Sequence, residues 1–184
     1  MESYDKQKAL ITVDDSWVEF QEIVKDISNN SNVTALKDHM QHISSSRFDH
    51  CEEVAYYTYQ ICKKLGLDYV SAARGAMLHD FYFYDWRNKG VEGKKKLHLM
   101  RHPGIALKNA SDIFELNDLE KDIIKKHMWP VTVVPPKFKE SFIVTCVDKY
   151  CAITESFKVM KSRLFMKKYF RLAYIFLCLI IIDT

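Results

Sequence analysis

An all-helical, single-domain fold is predicted by three features of the chain. Its 184 residues include four prolines and five glycines, so few positions interrupt a helix. Apolar residues make up 48% and charged residues 28%, the balance of an ordinary globular domain with room for one core. Several segments also carry apolar side chains at helical spacing, and no stretch rich in Gly, Ser or Pro divides the chain.

The N-terminal half of the chain predicts four helices. Residues 15–28 carry an apolar stripe, and a short helix is expected over about 33–42, after the polar break NNSN. The next helix follows SSSRFDH and ends at Gly66, where a glycine fits a helix C-terminus. Asp68 is the N-cap candidate of the helix that runs through YVSAARGAMLHD.

The C-terminal half predicts three more helices. Residues 85–101 look like a polar, basic loop, and HPGIALKNASDIF then forms a helix with Pro103 in its first turn. Asn117 or Asp118 begins the next helix, LEKDIIKKHMW, which Pro130 ends. VTVVPPKF is expected to be extended, because the residue before each proline avoids the helical region. KESFIVTCVDKYCAITESFKVM reads as one long amphipathic helix.

The expected organisation is one core with two flanking elements. Residues 1–42 form an N-terminal helical segment that packs on the core, which spans 43–160, and 161–184 are basic and then hydrophobic. The apolar run at 172–182 is shorter than the roughly 20 residues that span a bilayer as a helix. No transmembrane span is predicted. This run is expected to be a buried element, with an association surface between copies of the chain or an interfacial anchor as the alternatives.

The net charge and the cysteines limit which partners and which cellular compartment are expected. The net charge of +3 is too small to indicate a nucleic-acid partner. The five cysteines are odd in number and lack CxxC spacing, so free thiols are expected. The N-terminus, MESYDKQKAL, is polar and has no apolar signal segment. A reducing, cytoplasmic setting is the simplest interpretation.

Imidazoles and carboxylates recur at the ends of the predicted helices. A His-Asp pair stands before an aromatic run in MLHDFYFYDW, and burying that carboxylate is costly unless a positive charge lies against it. Single histidines open or close neighbouring helices, and an aspartate lies inside the last long one. Helical bundles build metal sites from such residues on facing helices. The candidate ligands are His50, His79, Asp80, His102, His127 and Asp148.

Asp148 has two interpretations. It lies in IVTCVDKYCAI, and an aspartate in an apolar stretch is seldom buried without a partner. A salt bridge to Lys149 or to another helix would satisfy it. Metal ligation explains its position better.

The order of these residues resembles the H…HD…H…H…D signature of the HD-domain metal-dependent phosphohydrolase superfamily. The resemblance covers roughly residues 42–155 and includes the local contexts SRFDHCEEVA, ARGAMLHD, HPGIA and VDKYCA. It implies an all-helical fold with a metal centre at the base of a cleft. It also implies the binuclear branch, with two divalent ions for which Fe and Mn are the first candidates and Zn, Ni and Mg the others.

The resemblance also implies a role for each ligand. His50, His79, Asp80 and Asp148 would hold the first metal ion. His102 and His127 would hold the second, and Asp80 would bridge the two and orient the nucleophilic water as the catalytic residue.

Two departures from that pattern concern substrate binding. Many binuclear members have a lysine shortly after the His-Asp pair, whereas HDFYFYDW has none, and no GYP motif occurs. Arg47 and Arg87 are the nearest replacement cations, and His42 could also reach a substrate. The predicted function is a phosphohydrolase that cleaves a phosphate ester of a nucleotide or another small molecule. The alternative is a nucleotide-binding regulatory protein whose metal centre is retained but slow or inactive.

Overall fold

The computed structural model describes residues 15–40, 45–84 and 95–160, with side chains placed at 15–40, 45–84 and 99–155. Every regular element in these ranges is a helix. The β-type pairing there is an isolated bridge between Met40 and Ser46. The predicted all-α fold is therefore confirmed.

Eight α-helices follow one another in the described ranges. They are α1 (15–23), α2 (Lys25–Ser28), α3 (Ser31–Thr34), α4 (Arg47–Lys64), α5 (Tyr69–Met77), α6 (Lys95–Ser111), α7 (Asp118–Lys126) and α8 (Lys139–Met160). Helix α4 packs against α5 and α8, and α7 contacts α5, α6 and α8. The four helices α4, α5, α7 and α8 therefore enclose one centre, with α6 lying against α7.

The helix ends in the middle of the chain follow the predicted caps. Asp68 accepts a hydrogen bond from the Ser71 N–H at 3.0 Å, and Gly66 has the left-handed φ of +67° expected after a helix. Asn117 is the N-cap of α7, where its side chain and that of Glu120 form a capping box.

The N-terminal segment contains more breaks than predicted. The single helix expected over 15–28 is interrupted at Val24, where the N–H of Ile27 bonds back to the Val24 carbonyl in a tighter turn. The helix expected over about 33–42 begins earlier, as α3, and continues as a 3₁₀ turn over Ala35–Asp38. Phe20, Val24 and Ile27 are buried, so this stripe does face the core.

The prediction of a loop over residues 85–101 was wrong at its C-terminal end. Helix α6 begins at Lys95, so Pro103 lies in its interior instead of its first turn. Lys, Leu and Met are strong helix formers, and their run before His102 extends the helix toward the N-terminus. The proline removes one backbone donor but does not end the helix.

The segment before α8 is irregular. Val131 lies in a turn, where its N–H bonds the Met128 carbonyl at 2.8 Å, and the chain bends at residues 132–134 and 137–138 of the segment predicted to be extended. The prolines exclude helix there, as expected. Helix α8 then spans the predicted residues, Lys139–Met160.

Helices α5 and α7 approach each other closely at Gly75. A Cβ placed on Gly75 would lie 3.0 Å from Ile123 Cδ1 and 3.2 Å from the backbone Cα of Glu120. A glycine permits this contact because it has no side chain to displace the neighbouring backbone. The short distance brings together the turn after α5 and the C-terminal end of α7.

Two further predictions concern the cysteines and the membrane. Of the described cysteines, Cys51, Cys62 and Cys151 are buried free thiols and Cys146 is an exposed one, as predicted. Among the described residues, no helix combines the length and apolar character needed to cross a bilayer. Cys178 and the apolar run 172–182 lie outside the described residues, so the prediction of a buried element there, with an association surface or an interfacial anchor as the alternatives, stays a prediction.

Candidate metal centre

His50 and Asp148 connect α4 to α8. His50 lies in the first turn of α4, behind a capping box in which the Ser46 and Asp49 side chains bond each other's backbone N–H groups. His50 Nε2 lies 3.1 Å from Asp148 Oδ1, and the imidazole is fully buried. Lys149, the alternative partner considered for Asp148, instead donates from Nζ to the His127 carbonyl at 3.0 Å.

His79 and Asp80 lie in the turn that follows α5. His79 Nδ1 lies 2.7 Å from the Ala76 carbonyl oxygen, so Nδ1 carries the proton and donates it. Nε2 consequently turns inward, 3.6 Å from Asp148 Oδ1 and 3.8 Å from Asp80 Oδ2. Both side chains are buried.

His102 and His127 meet from α6 and the end of α7. His127 is the C-cap of α7, and its Nδ1 lies 3.0 Å from the Ile124 carbonyl, to which it donates. The two Nε2 atoms lie 2.8 Å apart. Asp80 Oδ1 lies 3.3 Å from His102 Nε2 and 3.6 Å from His127 Nε2.

The six predicted residues thus converge on one buried centre with two overlapping parts. The first triad consists of His50, His79 and Asp80, and the second triad of Asp80, His102 and His127. Within each triad the potential ligand atoms lie within 4.8 Å of one another. Asp148 contacts both imidazoles of the first triad, and Asp80 belongs to both triads.

The first triad and Asp148 form a network of opposite charges. Burial alone would lower the pKa of His50, but its contacts with Asp148 and Glu155 raise that pKa to about 10. Burial alone would raise the pKa of Asp148, whereas His50 and His79 hold it well below its usual range. Without a bound cation, protons on the imidazoles neutralise the carboxylates.

In the second triad, the pKa of His127 is shifted in the opposite direction to that of His50. Burial, followed by electrostatic repulsion from the neighbouring imidazoles of His102 and His79, lowers the pKa of His127 to about 3. This imidazole is therefore neutral at physiological pH, and its Nε2 presents a lone pair because Nδ1 holds the proton. A neutral imidazole is the form that ligates a metal ion.

The donor set fits a divalent metal ion. Among the described residues, His79 Nε2 is a fully buried nitrogen with no hydrogen-bond partner. Such an atom is costly in a protein interior unless a cation or another group satisfies it. Imidazole nitrogens and carboxylate oxygens at these positions are ligands that Mn, Fe, Zn and related ions accept.

Of the three predicted substrate contacts, the structure describes Arg47 alone. Arg47 is buried, lies over the Tyr82 ring at 3.7 Å and donates to the Tyr82 carbonyl and, at 3.4 Å, to the Tyr84 carbonyl. Its role as a phosphate contact stays a prediction. His42 and Arg87 lie outside the described residues.

Sequence reasoning missed one carboxylate beside the centre. Glu155 is 4% exposed, and its Oε2 lies 3.5 Å from His50 Nδ1. The signal was its position seven residues after Asp148, which places both on one face of α8. A carboxylate near the end of a long amphipathic helix reads as a surface residue until the tertiary packing is known.

Comparison with known proteins agrees with this geometry. The family model described as HD domain matches residues 47–153, which include all six residues of the centre. No curated protein and no solved structure matches the chain significantly. Since the matched region covers more than half of the chain, the protein belongs to the HD domain family.

Proposed function

We propose that this protein is a metal-dependent phosphohydrolase with two divalent metal ions, acting on a phosphate ester of a nucleotide or another small molecule. The observation that carries the proposal is the pair of buried triads that share Asp80. Membership of the HD domain family supports metal-dependent hydrolysis as the reaction class. Metal ions in such centres polarise phosphoryl oxygens and lower the pKa of a bound water toward neutrality.

Asp80 is the proposed bridging and catalytic residue. Its Oδ1 faces His102 and His127, whereas its Oδ2 faces His79. One carboxylate oxygen is thus directed at each triad. From this position Asp80 would also accept a hydrogen bond from the nucleophilic water and hold it in line with the phosphorus atom.

Backbone carbonyls orient two of the proposed ligands. His79 and His127 each donate Nδ1–H to a carbonyl three residues earlier in the chain, at 2.7 and 3.0 Å. The bond fixes the tautomer in which Nε2 is the lone-pair donor. Lys149 adds support, because its ammonium group holds the carbonyl of His127 at 3.0 Å.

An aromatic wall would exclude water from the substrate cleft. Tyr82 is buried, and its ring centroid lies 5.5 Å from that of His102. Arg47, in α4, holds this ring through its contact with the ring face and its hydrogen bonds to the carbonyls of Tyr82 and Tyr84. A ring in contact with the second triad would limit the access of water to an ester bound at the centre.

Hydrolysis assays with the full chain test the proposal. We expect Mn²⁺- or Fe²⁺-loaded protein to release phosphate from nucleotides or to cleave p-nitrophenyl phosphate or its bis ester. Asp80→Ala should abolish this turnover. Asp112→Asn, which changes an exposed carboxylate just after α6, is the matched control and should retain it.

The regulatory alternative is favoured by two sequence features, the apolar run at 172–182 and the absence of a lysine after the His-Asp pair. The residues after the His-Asp pair, Phe81 to Tyr84, include no lysine to position a phosphate. If metal-loaded protein binds nucleotides, as seen by an increase in melting temperature, yet hydrolyses none of them, a slow or inactive sensor becomes the better assignment. Turnover of any nucleotide that Asp80→Ala abolishes would instead establish the enzyme.

A further inference from the structure

The buried imidazoles of the centre differ in how the nitrogen that faces away from the centre is held. His79 lies two residues beyond the end of α5, and His127 caps α7. The last carbonyls of a helix lack partners inside the helix, so they are available to accept a proton from a side chain. Both histidines use such a carbonyl, those of Ala76 and Ile124.

His50 lies in the opposite situation, near the beginning of a helix. Its own N–H bonds the Ser46 carbonyl at 3.1 Å, as the first turn of α4 requires. Helix carbonyls point toward the C-terminus, so the beginning of α4 offers donors and no spare carbonyl acceptors. An acceptor for His50 Nδ1 therefore has to come from another element.

Glu155 supplies a carboxylate at that position. Its Oε2 lies 3.5 Å from His50 Nδ1, while Asp148 Oδ1 lies 3.1 Å from Nε2 on the other side of the ring. The two acidic residues are seven positions apart, nearly two turns, and so share one face of α8. The imidazole thus lies between two carboxylates from the same helix, hydrogen-bonded at Nε2 and within ion-pair distance at Nδ1.

A second contact fixes the Glu155 carboxylate itself. Its Oε1 accepts a hydrogen bond from Ser45 Oγ at 2.9 Å, and the side chain is 5% exposed. A carboxylate in such a buried place costs free energy unless its oxygens have polar or charged partners. Ser45 precedes the N-cap of α4, so the contact ties α8 to the start of the helix that carries His50.

We infer that Glu155 is a positioning residue for His50: it accepts the Nδ1 proton and thereby directs Nε2, as the lone-pair donor, toward the metal centre. A carboxylate in this place fixes the ring orientation and increases the basicity of the ligating nitrogen. The inference rests on the proposed metal centre but not on the reaction that occurs there.

Metal affinity of the full chain is the first readout. Glu155→Met removes the acceptor at similar volume and should weaken Mn²⁺ binding about 10- to 100-fold, as loss of an outer partner typically does. Glu155→Gln keeps an amide oxygen that can accept the Nδ1 proton, so it should recover part of that affinity. Glu140→Gln, at the other end of α8, is the matched control and should bind as wild type does.

The second readout is the Nδ1–H resonance of His50 in ¹H–¹⁵N spectra, recorded with and without Zn²⁺. In the wild type this proton should be protected from solvent exchange, and Glu155→Met should shift or lose it. Ser45→Ala, which leaves both charged groups in place, should move it less. This measurement covers the case in which Glu155→Met folds poorly, because Glu155→Gln and Ser45→Ala report on the same proton.

Unchanged Mn²⁺ affinity and an unchanged Nδ1–H resonance in Glu155→Met would overturn the inference. Failure of the proposed function would look different. A wild type that hydrolyses no ester but shows the expected order of affinities would leave the role of Glu155 intact. If the wild type binds no metal, the metal-free spectra still decide whether Glu155 holds the His50 proton.

Discussion

The two triads share Asp80 but differ in the charges around them. In the first triad the imidazoles lie against the carboxylates of Asp80, Asp148 and Glu155, and the pKa of His50 is raised to about 10. In the second triad two imidazoles face Asp80 with their Nε2 atoms 2.8 Å apart, and the pKa of His127 is lowered to about 3. The first part holds protons, whereas the second presents a neutral nitrogen.

This difference shows that one buried carboxylate, Asp80, can contact a protonated imidazole on one side and a neutral imidazole on the other. A metal ion entering the first triad would have to replace protons, since ligating imidazoles must be neutral. A metal ion entering the second would find His127 already neutral and would replace the hydrogen bond between the two Nε2 atoms. Variants that remove the shared residue, one triad, or only the packing between helices should therefore have effects that decrease in that order.

The largest effect is expected for Asp80→Ala, which removes the residue that both triads share. Metal content measured by elemental analysis should fall from about two equivalents to nearly none, and hydrolysis should be lost with it. Asp112→Asn should keep both. Full metal content in Asp80→Ala would contradict the assignment of the centre.

The next largest effect separates the triads. The double variant His102→Ala/His127→Ala should retain about one metal equivalent, because it leaves the first triad and Asp148 intact. Asp148→Ala should likewise lose one equivalent, from the first triad. Elemental analysis of both variants beside the wild type tests whether each triad binds its metal ion independently. Complete metal loss in both variants would mean that neither triad can be occupied without the other.

A smaller effect is expected where the helices that carry the triads meet. In Gly75→Ala the new Cβ would lie 3.2 Å from the backbone of Glu120, which cannot rotate away. Overpacking costs about 1–3 kcal/mol, more than the roughly 0.5–1 kcal/mol that alanine gains in a helix. Chemical denaturation should show a net loss of stability. A stabilised Gly75→Ala would mean that α5 and α7 can move apart without cost. Ser111→Ala, at the end of α6, is the control for an alanine substitution away from this contact.

The smallest effect is expected outside the triads, at Asp122 on α7. Burial alone would raise its pKa, but bonds from Lys126 at 2.8 Å and from the Lys137 N–H at 2.9 Å lower it. A carboxyl group with a lowered pKa stabilises the fold above its unfolded pKa, near 4, and this contribution is lost as the pH falls through the lower folded pKa.

Asp122→Asn should therefore be less stable than the wild type at neutral pH by about 1 kcal/mol, since the pair is partly exposed. The difference should shrink as the pH falls below about 4, where the unfolded chain takes up the proton, and should vanish below the lower folded pKa. Urea denaturation at several pH values measures it. A difference that does not change with pH would show that the charge of Asp122 is not what stabilises α7.

Local signals in the sequence predicted the helix ends around the centre correctly. Gly66, Asp68 and Asn117 act through bonds within a few residues, so their roles are visible without tertiary structure. The start of α6 was missed because a basic run can be either a loop or a solvated helix face. Arg47 illustrates the same limit, since a buried arginine against Tyr82 and an arginine awaiting a phosphate look alike in a sequence.

By itself, the sequence determined the helical class, the caps and the six residues of the centre, because residue type and spacing along a helix are local properties. The tertiary structure alone decided how those residues pair. Which imidazole meets which carboxylate depends on α5 and α7 approaching at Gly75 and on α8 crossing α4. The place of Glu155 beside His50 was also decided there, since contacts between residues a hundred positions apart follow from packing and not from spacing.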